Sequence, residues 1–128
     1  MKTLRRLATI ATTGMVAATA IAFSATSASA SLVPITLSTA HAVGIYKLAE
    51  SWSSKVAPDL KPYVGASVDA DCYTYGENIA GQGSVWYHIW SYRTHSGDSD
   101  HDTWAYEYGK YVDNYNAMNW GWLPYCGY

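Results

Sequence analysis

Phenylalanine and positive charge are both scarce in this chain. It has a single Phe, Phe23, and only eight Lys and Arg residues among 128. After residue 6 the cations are scattered along the chain, and no two of them are neighbours. Proteins that bind nucleic acid or an anionic membrane surface need several cations on one surface. We therefore expect neither nucleic acid nor a membrane as a partner.

Long apolar runs are missing except near the start of the chain. A basic segment, residues 2–6, precedes an apolar run rich in Ala and Thr at residues 7–23, and residues 28–30 (ASA) offer a small-residue cleavage site. This order predicts a secretory signal peptide at residues 1–30. A membrane span is the less favoured alternative, because Thr interrupts the run and no basic stop-transfer flank follows. We expect the mature protein outside the cell, in the medium or at the cell wall.

Removal of residues 1–30 would leave one small acidic domain. Five basic residues would stand against ten acidic ones, which gives a net charge of −5. Such a charge favours ligands that carry positive groups, through modest electrostatic steering. The remaining length suffices for a single domain, and we expect a monomer.

Cysteine is scarce as well, since Cys72 and Cys126 are the only two. In an exported chain such a pair most simply forms a disulfide. It would close a loop of about 55 residues, which corresponds to about 4 kcal/mol of stabilisation by chain-entropy reasoning. A catalytic or metal-binding thiol pair is the alternative, and the absence of a CxxC motif disfavours it.

Motifs for catalysis are missing too. The sequence has no nucleophile elbow, no Cys–His signature and no glycine-rich phosphate loop. Asp69 and Asp71 match the carboxylate pair of a glycoside hydrolase in residue type. They lie two residues apart on one face of a strand, however, and an exposed strand edge is the simpler interpretation. We therefore expect neither enzyme activity nor a cofactor.

The polar loop at residues 93–102 contains closely spaced acidic side chains. Its aspartates Asp98, Asp100 and Asp102 are weak candidates for a metal site. An EF-hand loop that began at Asp98 would need Gly at its sixth position and Glu at its twelfth, where the sequence has Thr103 and Gly109. A solvated hairpin tip is the simpler interpretation, and we expect no metal.

Short segments of alternating character dominate the rest of the chain, and a helical period is weak and confined to residues 45–52. We expect strands at residues 42–47, 64–75, 84–92 and 103–108, with loops at 50–62, 76–83 and 93–102. Residues 31–41 carry no Asp, Glu, Lys or Arg and are interpreted as a flexible leader. The pattern predicts an all-β fold, either a small barrel or a two-layer sheet.

Tyrosine and tryptophan are abundant, and all twelve Tyr and six Trp follow residue 30. Both combine apolar area with a hydrogen-bonding tip, which suits recognition surfaces. Alternation places Trp86, His88 and Trp90 on one face of a strand, and Val85, Tyr87 and Ile89 on the other. It also aligns Trp104, Tyr106 and Tyr108, and it puts Val68, Ala70, Cys72 and Thr74 on one face. Only one face of each strand can fill a small barrel, so some rings must lie near the surface.

Three segments resemble bacterial SH3 (SH3b-like) domains, especially short secreted ones from actinobacteria. Residues 60–68 (LKPYVGASV), with Gly65 at the turn, look like the family's entry into its second long strand. Residues 86–89 (WYHI) match its W-Y-x-I strand, and residues 104–106 (WAY), followed by Tyr111 and Val112, are similar to the pair that ends its barrel. The chain departs from the family in its early segment, where residues 45–54 replace V-R-S-G-P, and in its long tail.

The resemblance implies a small SH3-like barrel of about five to six strands with one disulfide, spanning residues 42–128 with a C-terminal extension. It also implies a shallow aromatic groove for a cell-wall peptide, peptidoglycan or another peptide. The expected ligand-binding residues are Trp86, Trp104, Tyr106, Tyr108, Trp120 and Trp122. Glu107, Asp113 and Asn114 are expected to supply hydrogen bonds beside them.

A second interpretation remains open. We expect no catalytic domain beside the wall-binding module in these 128 residues, although such modules usually accompany one. A small secreted inhibitor or toxin-like protein that acts on another extracellular protein would also combine export, one disulfide and a surface rich in Tyr and Trp. Such a protein should form a stoichiometric complex with its partner and should not bind cell walls.

Overall fold

The computed structural model describes residues 31–128, so the signal peptide predicted at residues 1–30 lies outside the described residues. The strands are β1 (Val33–Thr36), β2 (Val43–Tyr46), β3 (Lys55–Leu60), β4 (Ser67–Tyr75), β5 (Val85–Arg93) and β6 (His101–Tyr108). Two short helices follow, α1 (Gly109–Asp113) and α2 (Asn116–Asn119). Single 3₁₀ turns lie at Pro62–Val64 and Ile79–Gly81.

All six strands belong to one antiparallel sheet in the order β1-β4-β5-β6-β2-β3. The sheet is not closed, and β1 and β3 are its edge strands. Cys72 and Cys126 form a disulfide with their Cα atoms 4.9 Å apart. The predictions of a mainly β fold and of one disulfide are therefore confirmed.

The prediction of a flexible leader at residues 31–41 is wrong for the middle part of this segment, because Val33–Thr36 form β1. Ile35 pairs with Val68 of β4, and Ile35 and Leu37 are both buried. The strand is only four residues long, so alternation along the sequence was too short to identify it. Burial of the Ile35 and Leu37 side chains holds the segment against the edge of the sheet.

The loop predicted at residues 50–62 is also wrong in part, because its second half forms β3. Leu60 lies opposite Val43 of β2 and is buried. Pro58 and the neighbouring polar residues indicated a loop, but proline is tolerated in an edge strand where one side has no partner for a backbone N–H. The turn predicted at Gly65 is correct, and this residue has a φ of 75°, which glycine adopts without strain.

Residues from all six strands contribute to one buried cluster. Its strand members are Ile35, Val43, Ile45, Leu60, Val68, Ala70, Val85, Tyr87, Ile89 and Ala105. Because both edge strands share this cluster, the sheet must curve around it. Val112 of α1, Ala117 of α2 and Leu123 complete the cluster from the C-terminal part of the chain. We call the opposite side of β4, β5 and β6 the outer face.

The two helices have only five and four residues, and they cover the core from one side through Val112 and Ala117. Asn114 ends α1 in the left-handed region with a φ of 56°, and Tyr115 continues the turn with a φ of 64°. Asp113 accepts a hydrogen bond from the backbone N–H of Ala117 at 2.8 Å, which fixes α2 against α1. Within residues 31–128 no helix has the length and apolar character to cross a bilayer.

The segment after α2 returns to the sheet and pairs with β4 beyond the end of β1. The backbone N–H of Tyr73 donates to the carbonyl of Pro124, and that of Cys126 donates to the carbonyl of Tyr73. We call residues 124–128 the tail. Two hydrogen bonds and the disulfide hold the tail along this edge of β4.

Candidate functional site

The backbone pairing of β4, β5 and β6 is interrupted by bulges that lie side by side across the three strands. Between β4 and β5 the register shifts on both sides of Ala70, so that Asp71 and Trp90 have no direct partner. Between β5 and β6 it shifts again after Ile89, where β6 has one residue more than β5. Bulges of this kind re-aim side chains and are frequent beside functional sites.

The bulge in β4 changes which residues face the core. Val68 and Ala70 belong to the core cluster, but beyond Asp71 it is Tyr73 that packs against that cluster. Cys72 lies opposite His88. The prediction that Val68, Ala70, Cys72 and Thr74 share one face is therefore wrong, since strict alternation cannot anticipate a bulge.

Aromatic side chains gather on the outer face at the level of these bulges. We call this set the aromatic face, and it comprises His88, Trp90, Trp104, Tyr106 and Tyr128. The ring of His88 lies 4.1 Å from that of Trp104 and 5.1 Å from that of Tyr106, centroid to centroid. Trp90 and Trp104 meet edge to face at 4.7 Å, an arrangement that aromatic rings prefer.

Asp71 lies beneath the aromatic face and holds two of its members. Its Oδ2 accepts a hydrogen bond from the indole N–H of Trp90 at 2.7 Å, and its Oδ1 lies 2.7 Å from Nδ1 of His88. Asp71 is only 9% exposed. The expectation that Asp69 and Asp71 form an exposed acidic edge is wrong, because both are buried and each accepts hydrogen bonds from β5.

His88 itself is fully buried, and its two nitrogens have different environments. The Asp71 carboxylate accepts a hydrogen bond, so Nδ1 of His88 carries the proton between them. Nε2 has no hydrogen-bond partner among the described residues. The pair therefore fixes the orientation of the imidazole ring, against which Trp104 packs.

Tyr128 reaches the aromatic face because the disulfide anchors the tail two residues before it. Its ring lies 6.1 Å from that of His88 and 6.4 Å from that of Trp104. Partial burial, with contributions from the Asp71 carboxylate and Tyr106, raises the pKa of Tyr128 to about 12. Burial and the same carboxylate raise the pKa of Tyr106. The Asp71 carboxylate therefore contributes to the raised pKa values of both Tyr106 and Tyr128.

Open clefts flank the aromatic face on two sides. A cleft of about 650 Å³ has Trp90 in its wall together with the carboxylates of Asp69, Asp100 and Asp102. Arg93 pairs with Asp69 and Asp100 and offsets part of this charge. A smaller cleft of about 260 Å³ is lined by Tyr106, Tyr128 and Glu50 among others. Both clefts therefore combine aromatic surface with negative charge.

The structure brings Trp104 and Tyr106 together in the aromatic face, but it buries two other expected ligand residues. Trp86 is fully buried, and its indole N–H donates to the carbonyl of Glu77 at 2.9 Å. Tyr108 packs against it and donates to the carbonyl of Gly83 at 2.7 Å. Loops close over this end of the outer face, so Trp86 and Tyr108 cannot contact a ligand there.

Trp120 and Trp122 form a second, separate aromatic patch. Both are more than half exposed, and their rings meet at 4.8 Å. They border a cleft of about 270 Å³ beside Pro34 and Thr36 of β1. The expectation that these two residues share one groove with the β6 aromatics is therefore wrong.

Two of the three weak metal candidates, Asp98 and Asp100, lie in the loop before β6 and have other partners, whereas Asp102 belongs to β6. Asp98 accepts hydrogen bonds from the backbone N–H and hydroxyl of Thr94 and from His101, which holds the pKa of its carboxyl well below its usual range. Asp100 pairs with Arg93. Within residues 31–128, the one group of three possible ligands that converges is Asp71, Cys72 and His88.

The expected hydrogen-bonding residues also serve the fold. Glu107 is fully buried in the core, with no partner for either carboxylate oxygen among the described residues. Asp113 accepts from the hydroxyl of Tyr87, and Asn114 accepts from Lys110. None of the three is placed to contact a ligand on the aromatic face.

Sequence reasoning missed Asp71, His88, Trp90 and Tyr128 as members of the site. A signal existed for two of them, because alternation already places His88 and Trp90 on one face of β5. Asp71 could not be recognised without the bulge. Tyr128 could be linked to β5 only through the pairing of Cys126 with Cys72, two residues away in the tail.

Comparison of the chain with protein-family models, with curated proteins and with solved structures gave no match in any of the three cases.

Proposed function

We propose that this protein is exported and acts as a non-catalytic, SH3b-like binding module that holds a cell-wall peptide against its aromatic face. The curved, open sheet would then be a variant of the SH3-like barrel. The observation that carries the proposal is that Trp90 and Trp104 are held in place by the protein and still remain 42% and 52% exposed. Half of each indole is packed against the protein, and half remains for a ligand.

Preorganisation supports this proposal. The hydrogen bond from Trp90 to Asp71 and the packing of Trp104 on His88 hold both rings in one orientation before any ligand arrives. Binding then costs little side-chain entropy, so more of the contact energy is retained as affinity. Aromatic rings of this kind stack on the flat faces of peptide groups and sugars.

Charge supports a ligand with amino groups. Four carboxylates lie in the two clefts that flank the aromatic face, and Arg93 is the cation that pairs with two of them. A cationic group near an indole face gains a further attraction from the ring quadrupole. A wall peptide with a diamino acid presents such amines next to flat peptide groups.

The experiment is co-sedimentation of the purified protein with peptidoglycan sacculi, repeated with calcium and at raised salt. We expect saturable pelleting that is lost in Trp104→Ala and retained in Trp52→Ala, which removes an exposed indole elsewhere on the molecule. Calcium should have no effect. Pelleting that is equal for the two variants, or no pelleting of the wild type, would contradict the proposal.

A secreted inhibitor of another protein is the second candidate, and the Trp120–Trp122 pair is the observation that favours it. Tryptophan is enriched at the energetic centres of protein interfaces, and these two rings lie exposed and apart from the aromatic face. Affinity capture from culture medium, with Trp122→Ala as the comparison, tests this candidate. A stoichiometric partner lost in that variant would support it.

A further inference from the structure

Three different metal-binding side chains converge below the aromatic face. The carboxylate of Asp71, the sulfur of Cys72 and a ring nitrogen of His88 lie within 4.8 Å of one another, and all three residues are buried. In the folded, oxidised protein the sulfur belongs to the disulfide with Cys126. We propose that reduction of this disulfide turns the cluster into a zinc site formed by Cys72, Cys126, His88 and Asp71.

The sheet already places these groups at metal-binding range. Cys72 lies directly opposite His88 in the ladder between β4 and β5. The sulfur of Cys72 is 3.3 Å from Oδ1 of Asp71, and that oxygen is 2.7 Å from Nδ1 of His88. A zinc ion with bonds of about 2.0–2.3 Å would need only small side-chain movements to contact all three.

Cys126 would stay close to Cys72 after reduction, because the backbone holds the tail independently of the disulfide. The N–H of Cys126 donates to the carbonyl of Tyr73 at 2.8 Å, and the N–H of Tyr73 donates to the carbonyl of Pro124 at 2.9 Å. A second thiolate is therefore available at the same place. Two thiolates, one imidazole and one carboxylate suit tetrahedral zinc.

The redox step needs an external dithiol as reductant. Two electrons from the dithiol break the bond between Cys72 and Cys126, the dithiol becomes a disulfide, and its two protons pass to the cysteine sulfurs. Zinc then displaces both thiol protons into the solvent and binds the thiolates, and the proton of His88 moves from Nδ1 to Nε2 so that Nδ1 can bind the metal. Thiol oxidation and metal occupancy exclude each other, so the site would report the redox state around the protein.

Cobalt(II) is the spectroscopic probe for this proposal, since it adopts zinc geometry and its bonds to thiolates absorb light. The protein is reduced with a dithiol, freed of reductant under nitrogen and titrated with Co²⁺ and then Zn²⁺, with circular dichroism to check the fold. We expect one equivalent of bound Co²⁺ with tetrahedral thiolate absorption, displaced by Zn²⁺. The oxidised protein should give no such absorption.

Variants distinguish this site from adventitious binding. Cys126→Ser keeps Cys72 as a free thiol without any reductant and should bind Co²⁺ with about half the thiolate absorption. Asp71→Asn in the reduced protein should weaken zinc binding by about 10–100-fold. Cys72→Ser/Cys126→Ser should not bind. Binding by the double variant, or no cobalt spectrum from reduced protein that remains folded, would overturn the proposal.

Discussion

Trp90 is held by Asp71, whose carboxylate accepts the indole N–H at 2.7 Å from the neighbouring strand. The same carboxylate orients His88 through its other oxygen. One aspartate at a bulge therefore sets the position of two rings of the aromatic face. Because Asp71 is nearly buried, both of its contacts are made in a medium where unpaired charge is costly.

Replacement of Asp71 by Asn should lower the free energy of unfolding. The amide can accept from only one of the two donors and presents its own N–H groups to the other, so the loss should be about 1–3 kcal/mol. Urea denaturation measures it. The control is Asp100→Asn, which removes an exposed partner of Arg93 and should cost less than about 1 kcal/mol. Equal losses would contradict the assigned role of Asp71.

Substitution in β1 tests whether residues 31–41 are part of the fold. Ile35→Ala removes a buried side chain of the core cluster and should cost about 2–4 kcal/mol of unfolding free energy. Leu32→Ala, three residues away and about half exposed, should cost far less. If both variants unfold at the same urea concentration as the wild type, β1 is not packed as described.

The disulfide should contribute strongly to stability, because it closes a sequence separation of 54 residues. Chain-entropy reasoning gives about 4 kcal/mol. We expect Cys72→Ala/Cys126→Ala to unfold at clearly lower urea than the oxidised wild type. As a comparison, urea unfolding of the wild type is measured with and without a dithiol in metal-free buffer. The unfolding free energies of these two samples should differ by about as much as those of the variant and the oxidised wild type.

Glu107 should make stability depend on pH. Burial raises its pKa in the folded state well above the usual value, so the folded protein keeps a proton that the unfolded chain releases. This contribution to stability is fully present below the unfolded pKa and is lost as pH rises through the folded pKa. Stability relative to Glu107→Gln should therefore fall as pH rises from about 5 to 8.

Urea denaturation of both proteins at several pH values provides the measurement for Glu107. Asp102→Asn serves as the control, because it removes an exposed carboxylate outside the core. A wild type that gains stability relative to Glu107→Gln over this pH range would show that the buried carboxyl has a partner or is ionised.

Local patterns in the sequence predicted the strands that form the centre of the sheet, but not its edges. Alternation identified β5 and both of its faces correctly, since every second residue there is strongly apolar. It failed for β1, which is only four residues long, and for β3, which contains Pro58 at an unpaired edge. Edge strands bury less, so their sequences carry less of the pattern.

The candidate site was only partly predictable for a related reason. Trp104 and Tyr106 were expected in it, because they alternate along one strand. Asp71 was assigned to an exposed edge, because nothing local indicates a bulge. Trp86 and Tyr108 were expected among the ligand-binding residues, but the loop between β4 and β5 covers both of them. Contacts between distant segments decide which aromatic rings remain exposed.

The most direct test of the account is to observe the tryptophan indole N–H signals by NMR during titration with a soluble wall peptide that carries a diamino acid. We predict that the signals of Trp90 and Trp104 shift together and saturate, whereas those of Trp52, Trp120 and buried Trp86 stay in place. Shifts confined to Trp120 and Trp122, or no shifts at saturating peptide, would contradict binding at the aromatic face.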